Sequence, residues 1–183
     1  MMRNLLLAIA TGLVGAAVLH IVIVLALPAW TGKDAFSRAQ ELGETHRFFT
    51  LANEPNITGF YNDDPHIRSA VCRFDLSQDP VRIIARGNVA LWMLSIFNTK
   101  SDEIYSMSDR SAIEQNVDLT LVTPAQMLQL RRNMPAALEK SVLVETDDQE
   151  GFVVLRAVAP DSSSERQTRN FLSEAGCLPL VYG

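Results

Sequence analysis

Cysteine is scarce in this chain, with two among 183 residues. The two lie far apart, so there is no Cys-x-x-Cys pair, and no phosphate-binding glycine loop, Gly-x-Ser-x-Gly elbow or His-Glu-x-x-His motif occurs. These absences remove the usual sequence signs of redox, nucleotide, serine-hydrolase and zinc-protease chemistry. We expect no cofactor and name no catalytic residue, and the sequence gives enzyme activity no positive support.

Positive charge is also in short supply, since 16 basic residues stand against 21 acidic ones. Arg3 precedes the first apolar segment, and without it the balance is 15 to 21, a net charge of −6. A surface of that sign does not attract nucleic acid or anionic lipid headgroups. We expect neither as a partner of the part that follows the apolar segment.

Charge is missing altogether from Asn4 to Gly32, and Leu5 to Ala29 is almost wholly apolar. About 20 such residues cross the hydrocarbon core of a bilayer, so residues 1–32 are predicted to be a single transmembrane anchor. A cleavable signal peptide is the alternative, but its apolar run would be shorter, about 7–15 residues. Leu27-Pro28-Ala29 is also a poor cleavage site. Cleavage would leave a secreted or periplasmic soluble protein.

The expected orientation places the N-terminus in the cytoplasm and the C-terminal domain on the other side. Arg3 favours this arrangement, although Lys33 and Arg38 follow the segment and make the charge bias slight. A short N-terminal tail before a long C-terminal domain is the usual arrangement of a signal anchor. The lipid bilayer is thus the first expected partner, through the N-terminal helix.

Small residues recur every four positions within the anchor, at Ala8, Gly12 and Ala16. This spacing permits close approach of a second helix, either a second copy of the chain or a partner helix. Small residues facing lipid are the other interpretation. His20 lies near the middle of the span, where a single neutral imidazole without an acidic neighbour is most simply tolerated.

Residues 33–66 are predicted to be a juxtamembrane stalk and loop, and residues 67–183 a β-rich exported domain. Lys33 to Leu42 has the pattern of a short helix that ends at Gly43. Ala52 to Pro65 is rich in Asn, Pro, Gly and Asp and indicates a loop.

Two hairpins are predicted in the exported domain. In the first, Cys72, Phe74 and Leu76 share one face of a strand, and a four-residue turn pairs them with Ala85, Ile83 and Val81. The same register places Asp75 opposite Arg82, a favourable cross-strand pair. The second hairpin joins Ser141 to Glu145 with Phe152 to Val158.

Further strands are predicted at Arg47 to Leu51, Leu91 to Phe97, Ile104 to Ser108 and Val117 to Thr123. Two late helices complete the pattern: one begins at Thr123-Pro124 and runs to about Arg132, and the other is capped by Ser162 and Glu165 and runs to Ala175. The predicted fold class is β-rich α+β: one transmembrane helix, then an antiparallel sheet or sandwich with two short late helices.

Few polar residues suggest chemistry. Asp63, Asp64 and His66 could offer ligands to a divalent ion, with His46 nearby if the fold allows, but Asp and Asn more often cap turns in such a loop. A pocket near His66, Asp63 and Asp109 would support an enzyme or small-ligand binder. Asp102, Glu103, Asp109 and Arg110 bracket one strand, where solvated strand ends are the simplest interpretation.

Cys72 and Cys177 allow three interpretations. In an exported domain two thiols are expected to form a disulfide if the geometry permits. Two separate buried thiols are the second interpretation, and a reactive or metal-bound thiol is the third. Cys72 lies on the apolar face of its strand, which is a poor position for a nucleophile.

A family resemblance rests on Ala70 to Leu76, on Pro80-Val81-Arg82, on Leu91 to Phe97, and on Ile104-Tyr105-Ser106 leading to Asp109-Arg110. Together they resemble the short integral membrane proteins of alphaproteobacteria that carry a domain of unknown function, the first of two such domains fused in larger exported bacterial proteins. The resemblance implies a bacterial inner-membrane location and a β-rich exported domain. It also implies a companion, a second small membrane protein with the other domain, and it implies no particular activity.

Overall fold

The computed structural model describes residues 2–30, 35–55 and 59–180. The chain divides into two compact units, Met1–Asp34 and Ala35–Gly183. The first unit contains helix α1, Met2–Trp30. Its segment Met2–Ala26 has a mean hydropathy of 2.5 and is long and apolar enough to cross a membrane. Ala8, Gly12 and Ala16 are all exposed on this helix.

The second unit contains nine strands and three α-helices within its described residues. The strands are β1 (Phe48–Thr50), β2 (Ile67–Asp75), β3 (Val81–Ala85), β4 (Trp92–Asn98), β5 (Glu103–Ser108), β6 (Val117–Val122), β7 (Val142–Glu145), β8 (Glu150–Val158) and β9 (Gly176–Pro179). The helices are α2 (Ala35–Leu42), α3 (Pro124–Arg132) and α4 (Ser162–Ser173), with short 3-10 turns at Ile113–Gln115 and Ala136–Leu138.

The strands form two sheets that share one core. Sheet A has the order β1-β2-β8-β4-β5 and sheet B the order β7-β6-β3-β9. All pairs are antiparallel except β6 with β7. The core contains alternate residues of both sheets together with Phe171 and Leu172 of α4. The predicted β-rich α+β class with an N-terminal apolar helix is confirmed.

The predicted core-facing residues of β2 and β3 are buried, but the predicted pairing of the two strands is not found. Cys72, Phe74 and Leu76 are buried, and so are Val81, Ile83 and Ala85. However, β2 pairs with β1 and β8 in sheet A, whereas β3 pairs with β6 and β9 in sheet B. The predicted hairpin is therefore wrong, because the two apolar faces belong to opposite sheets that share the core.

The same correction applies to the second predicted hairpin and to the Asp75–Arg82 pair. Strand β7 belongs to sheet B and β8 to sheet A. Arg82 donates two hydrogen bonds to Asp118 on β6, Nε to Oδ1 at 3.0 Å and Nη2 to Oδ2 at 2.7 Å. The Oδ1 atom of Asp75 instead accepts the backbone N–H of Ser77, which stabilises the turn after β2.

The predicted boundary at residue 66 also needs correction, because residues from 35 onward belong to the same compact unit as the strands. Helix α2 packs on the outer face of sheet A, where Phe36 and Ala39 are buried against Val71, Phe152 and Val154. The helix is therefore not a free stalk along its described length. Residues 33, 34 and 56–58 of the predicted stalk and loop lie outside the described residues.

The two late helices begin as their capping residues dictate. Thr123 caps α3, accepts the N–H of Gln126, and has Pro124 at the first helical position, as predicted. Helix α4 is capped by Asp161 and Ser164, one residue earlier than the predicted Ser162 and Glu165. Because Asp is at least as good a cap as Ser, the upstream residue takes the position. The helix ends at Ser173, and Gly176 begins β9 rather than stopping a helix.

Candidate functional site

The two cysteines are joined by a disulfide that connects the two sheets. Cys72 lies on β2 of sheet A and Cys177 on β9 of sheet B, with their Cα atoms 6.6 Å apart. Both residues are fully buried in the core. The first of the three interpretations is therefore the one that the structure contains, and a buried disulfide of this kind offers no exposed nucleophile.

The predicted ligand cluster Asp63, Asp64 and His66 lies in the turn before β2. All three residues are exposed, and the Oδ1 atom of Asp64 accepts the backbone N–H of His66 at 2.7 Å. No group of three or more His, Cys, Asp or Glu side chains suited to a metal occurs among the described residues. The cluster therefore stabilises the local turn, the simpler of the two sequence interpretations.

Asp109 does not join Asp63 and His66. It follows β5, and its N–H donates to the carbonyl of Trp92 on β4. Strand β5 lies three positions from β2 in sheet A, a distance of about 14 Å at the usual strand spacing. Asp63 lines a cavity of about 270 Å³ and His66 lines a different one of about 410 Å³, and Asp109 lines neither.

Asp102, Glu103 and Arg110 are also exposed, and Asp109 is half-buried. Asn98 accepts the backbone N–H groups of Lys100 and Asp102 through Oδ1, at 2.9 Å each. This arrangement is a side-chain-capped turn between β4 and β5. The paired carboxylates are therefore part of a solvated strand end.

An ion cluster forms between β2 and α4. Arg68 donates from Nε to Oε1 of Glu165 at 3.0 Å, and Arg169 donates from its own Nε to the same oxygen at 3.0 Å. Arg68 also donates from Nη1 to the carbonyls of Pro65 and Ile67. The hydrogen bond from Arg68 lowers the pKa of Glu165 and outweighs the opposing effect of burial, and Arg169 adds to the lowering. Glu165 is therefore ionised at neutral pH.

This ion cluster lies between two adjoining cavities. One, of about 470 Å³, lies between β1 and α4, and the other, of about 410 Å³, lies beside His66 and Asp161. Asn53, Arg68, Glu165 and Arg169 line both. Concave sites of 300–1,000 Å³ with a few converging polar groups are typical of ligand pockets. This region is accordingly the best candidate site on the domain.

Comparison with known proteins informs the fold alone. No family model and no curated protein matches the chain. The crystal structure of the VPA0106 protein from Vibrio parahaemolyticus is similar, with a TM-score of 0.54 and 13% sequence identity over 64% of this chain and 28% of that chain. A putative uncharacterised protein from Burkholderia cenocepacia has a TM-score of 0.42 and 13% identity over 70% of this chain and 37% of that chain.

This chain therefore matches less than two fifths of the length of either protein. With the VPA0106 protein the shared part is a common fold. A fold similar to that of most of this chain thus occurs within a longer chain, of which 28% is matched.

Sequence reasoning did not find the ion cluster at the candidate site. Glu165 and Arg169 have the i,i+4 spacing of a helical ion pair, which is a usable signal. Arg68 lies 97 residues before Glu165, and nothing local to it indicates a contact with α4. Only the order of the strands and the packing of α4 bring the two arginines to one carboxylate.

Proposed function

We propose that this protein is a membrane-anchored interaction module of the bacterial cell envelope that docks with a companion membrane protein. In this proposal α1 remains uncleaved in the inner membrane, with the N-terminus in the cytoplasm. The domain from residue 35 onward lies in the periplasm and works as a binding module rather than as an enzyme. We propose a companion because Ala70 to Leu76 and the segments after it resemble a family in which a second small membrane protein carries the other domain.

One observation carries the proposal: the fold of this domain occurs as about a quarter of a longer chain, the VPA0106 protein. A fold that shares one chain with further polypeptide in another protein can have a surface that contacts a neighbouring domain. This supports a companion without identifying it.

Two further features support the proposed location. Helix α1 is apolar enough to cross a membrane, and Cys72 and Cys177 form a disulfide. Disulfides form and persist in oxidising compartments such as the bacterial periplasm and are rare in the cytoplasm. The proposed orientation puts the disulfide on the oxidising side and Arg3 on the cytoplasmic side.

The experiment that tests the proposal is affinity purification of the full chain from its own host in mild detergent after cross-linking in intact cells. A second small membrane protein should be recovered in near-equal amount. Replacing α1 with an unrelated apolar helix should preserve the recovery, because the docking surface belongs to the domain. The anchor alone, without residues 35–183, is the matched control and should lose the companion.

Recovery of the monomer alone, or of a homo-oligomer alone, would overturn the proposed docking. A companion that is recovered with the anchor alone, and not with the domain on an unrelated helix, would also contradict the proposed docking. Such a result would place the contact at Ala8, Gly12 and Ala16. Sequencing the mature N-terminus separately decides whether α1 is retained or cleaved.

A further inference from the structure

The cleft between β1 and α4, called the β1–α4 cleft below, differs in charge from the cavities around it. Its charged lining residues are Arg68, Glu165 and Arg169, which leave one positive charge in excess. The adjoining cavity beside His66 has the same three residues but adds Asp161, so its charges balance. The cavity on the outer face of sheet A contains Arg156 with two aspartates and is negative. The β1–α4 cleft is thus the cationic site at this end of the domain.

The excess charge is held in a defined position. The side chains of Arg68 and Glu165 are 15% and 19% exposed, whereas Arg169 at the rim is 71% exposed. Both arginines use Nε for Glu165 and share one of its oxygens. Nη2 of Arg68 and both Nη atoms of Arg169 have no acceptor among the described residues. A second anion would therefore find unused guanidinium donors on both arginines, and charge-assisted hydrogen bonds to a guanidinium are stronger than neutral ones.

The walls of the β1–α4 cleft combine apolar and polar side chains, and the polar ones include Asn53, Ser69 and Ser173. Leu51, Ala52 and Leu172 line it, and hydroxyl and amide groups of Thr50 and Asn170 lie among them. The volume of about 470 Å³ is that of a small-molecule site. A cationic end beside the apolar side chains of Leu51, Ala52 and Leu172 matches a ligand that has one anionic group and a short hydrocarbon part.

We infer that the β1–α4 cleft binds a small amphiphilic monoanion, a carboxylate attached to a short apolar group, through Arg68 and Arg169. This site does not depend on the proposed companion. Glu165 then has two effects that oppose each other in binding: it orients the arginines, and it also competes with the ligand for their charge.

The test is a titration of the isotope-labelled full chain, in zwitterionic detergent micelles, followed by backbone amide NMR. Hexanoate is the probe, with hexanol as the neutral control and inorganic phosphate as the oxyanion without an apolar part. Hexanoate should give saturable shifts confined to residues 50–53 and 169–173. Hexanol should give none there, and phosphate should bind more weakly than hexanoate.

Three single substitutions separate binding from structure. Arg169→Gln should weaken hexanoate binding about fivefold, as expected for one partly exposed charge. Arg166→Gln is the matched control, because Arg166 is exposed on the same helix but lines neither of the two adjoining cavities, and it should leave binding unchanged. Glu165→Gln should tighten binding about fivefold, since it removes the competing carboxylate. A merely structural ion cluster would not tighten the binding of any ligand when Glu165 is neutralised.

Several results would overturn the inference. Shifts that do not saturate, that hexanol reproduces, or that are equal in R169Q and R166Q would exclude an anion site in the β1–α4 cleft. Phosphate binding as tight as that of hexanoate would overturn the inference that the ligand has an apolar part. Weaker binding in E165Q would show that the carboxylate only orients the arginines, against the competition inferred above. Because every variant is compared in the same micelles, the partition of hexanoate into detergent does not affect the differences in hexanoate binding between variants.

Discussion

At the scale of single residues, the disulfide is the strongest constraint on the fold. Cys72 and Cys177 are separated by 105 positions, and their bond joins sheet A to sheet B through the shared core. Closing so long a loop removes conformational freedom from the unfolded chain, which in the chain-entropy treatment is worth about 4–5 kcal/mol. The bond therefore stabilises the packing of two sheets between which the described strands form no pairs.

We predict that reduction of this disulfide lowers the free energy of unfolding by about 4 kcal/mol. Denaturant titrations of the full chain, oxidised and reduced, would measure the difference through Trp92, which is buried in the core. Reduced wild-type protein keeps both sulfur atoms, so the comparison isolates the covalent link from side-chain volume. Two free thiols in the mass spectrum of the unreduced protein would contradict the bond itself.

The Arg82–Asp118 pair replaces the predicted Asp75–Arg82 pair and makes stability depend on pH. Burial alone would raise the pKa of Asp118, but the hydrogen bonds from Arg82 and Ser141 and the nearby Arg86 lower it below its ordinary value of 3.8. The pair therefore stabilises the folded state fully above that ordinary value. Its contribution is lost as the pH falls through the lower folded-state pKa.

Asp118→Asn should accordingly reduce the free energy of unfolding by about 1–2 kcal/mol at neutral pH, as expected for a paired, charge-assisted contact. The difference from wild type should shrink as the pH falls below 3.8, because the stability that wild type gains from the lowered pKa of Asp118 is then progressively lost. Equilibrium denaturation at about pH 7 and about pH 3 measures both values. Asp147→Asn, at an exposed turn position, is the matched control. A difference that is the same at both pH values would contradict the assigned pKa direction.

At the scale of elements, α2 is the segment whose role changed most between sequence and structure. Phe36 is 9% exposed and packs on Phe152, with ring centroids 6.5 Å apart. A free juxtamembrane stalk would have no such contact. The helix therefore covers apolar side chains on the outer face of sheet A that would otherwise be open to water.

Phe36→Ala should then destabilise the domain by about 3 kcal/mol, the usual cost of truncating a buried Phe. Thermal or denaturant unfolding of the full chain followed through Trp92 is the measurement. Gln40→Ala changes an exposed residue of the same helix and should have little effect. Equal stability of the two variants would show that the packing of α2 does not stabilise the domain, as expected of a stalk.

The two incorrect hairpins show which part of the fold local sequence encodes. Alternation correctly identified the core-facing residues of β2 and β3, because each strand has one face toward the core, but it missed Val71, which α2 covers on the other face of β2. It could not identify the partner, since Phe74 and Ile83 fit the same pattern whether they are neighbours in one sheet or meet across two sheets. The Arg68–Glu165 contact of the candidate site depends on the same long-range packing. Local sequence patterns could therefore not predict the geometry of this contact, whereas they did predict the helix start at Thr123-Pro124.

At the scale of the whole molecule, the two units place different demands on their surroundings. Helix α1 exposes apolar side chains along its length, including Leu13 and Leu19, which is costly in water and favourable in lipid. The domain buries its apolar core and contains a disulfide, a bond that forms and persists in oxidising compartments. Both features agree with the arrangement proposed above, in which the helix lies in the bilayer and the domain on the oxidising side.

Topology reporters test this arrangement directly. Alkaline phosphatase fused after the last residue should be active in intact bacteria, because it needs disulfides that form only outside the cytoplasm. A fluorescent protein that folds only in the cytoplasm should be dark at the same position. The matched control starts the fusion at residue 35, so that α1 is missing and export fails; its phosphatase should be inactive and its fluorescence bright. If the full-length fusion behaved like that control, Cys72 and Cys177 would lie in a reducing compartment, which does not favour their disulfide. The proposed periplasmic location, and with it docking in the periplasm, would then be wrong.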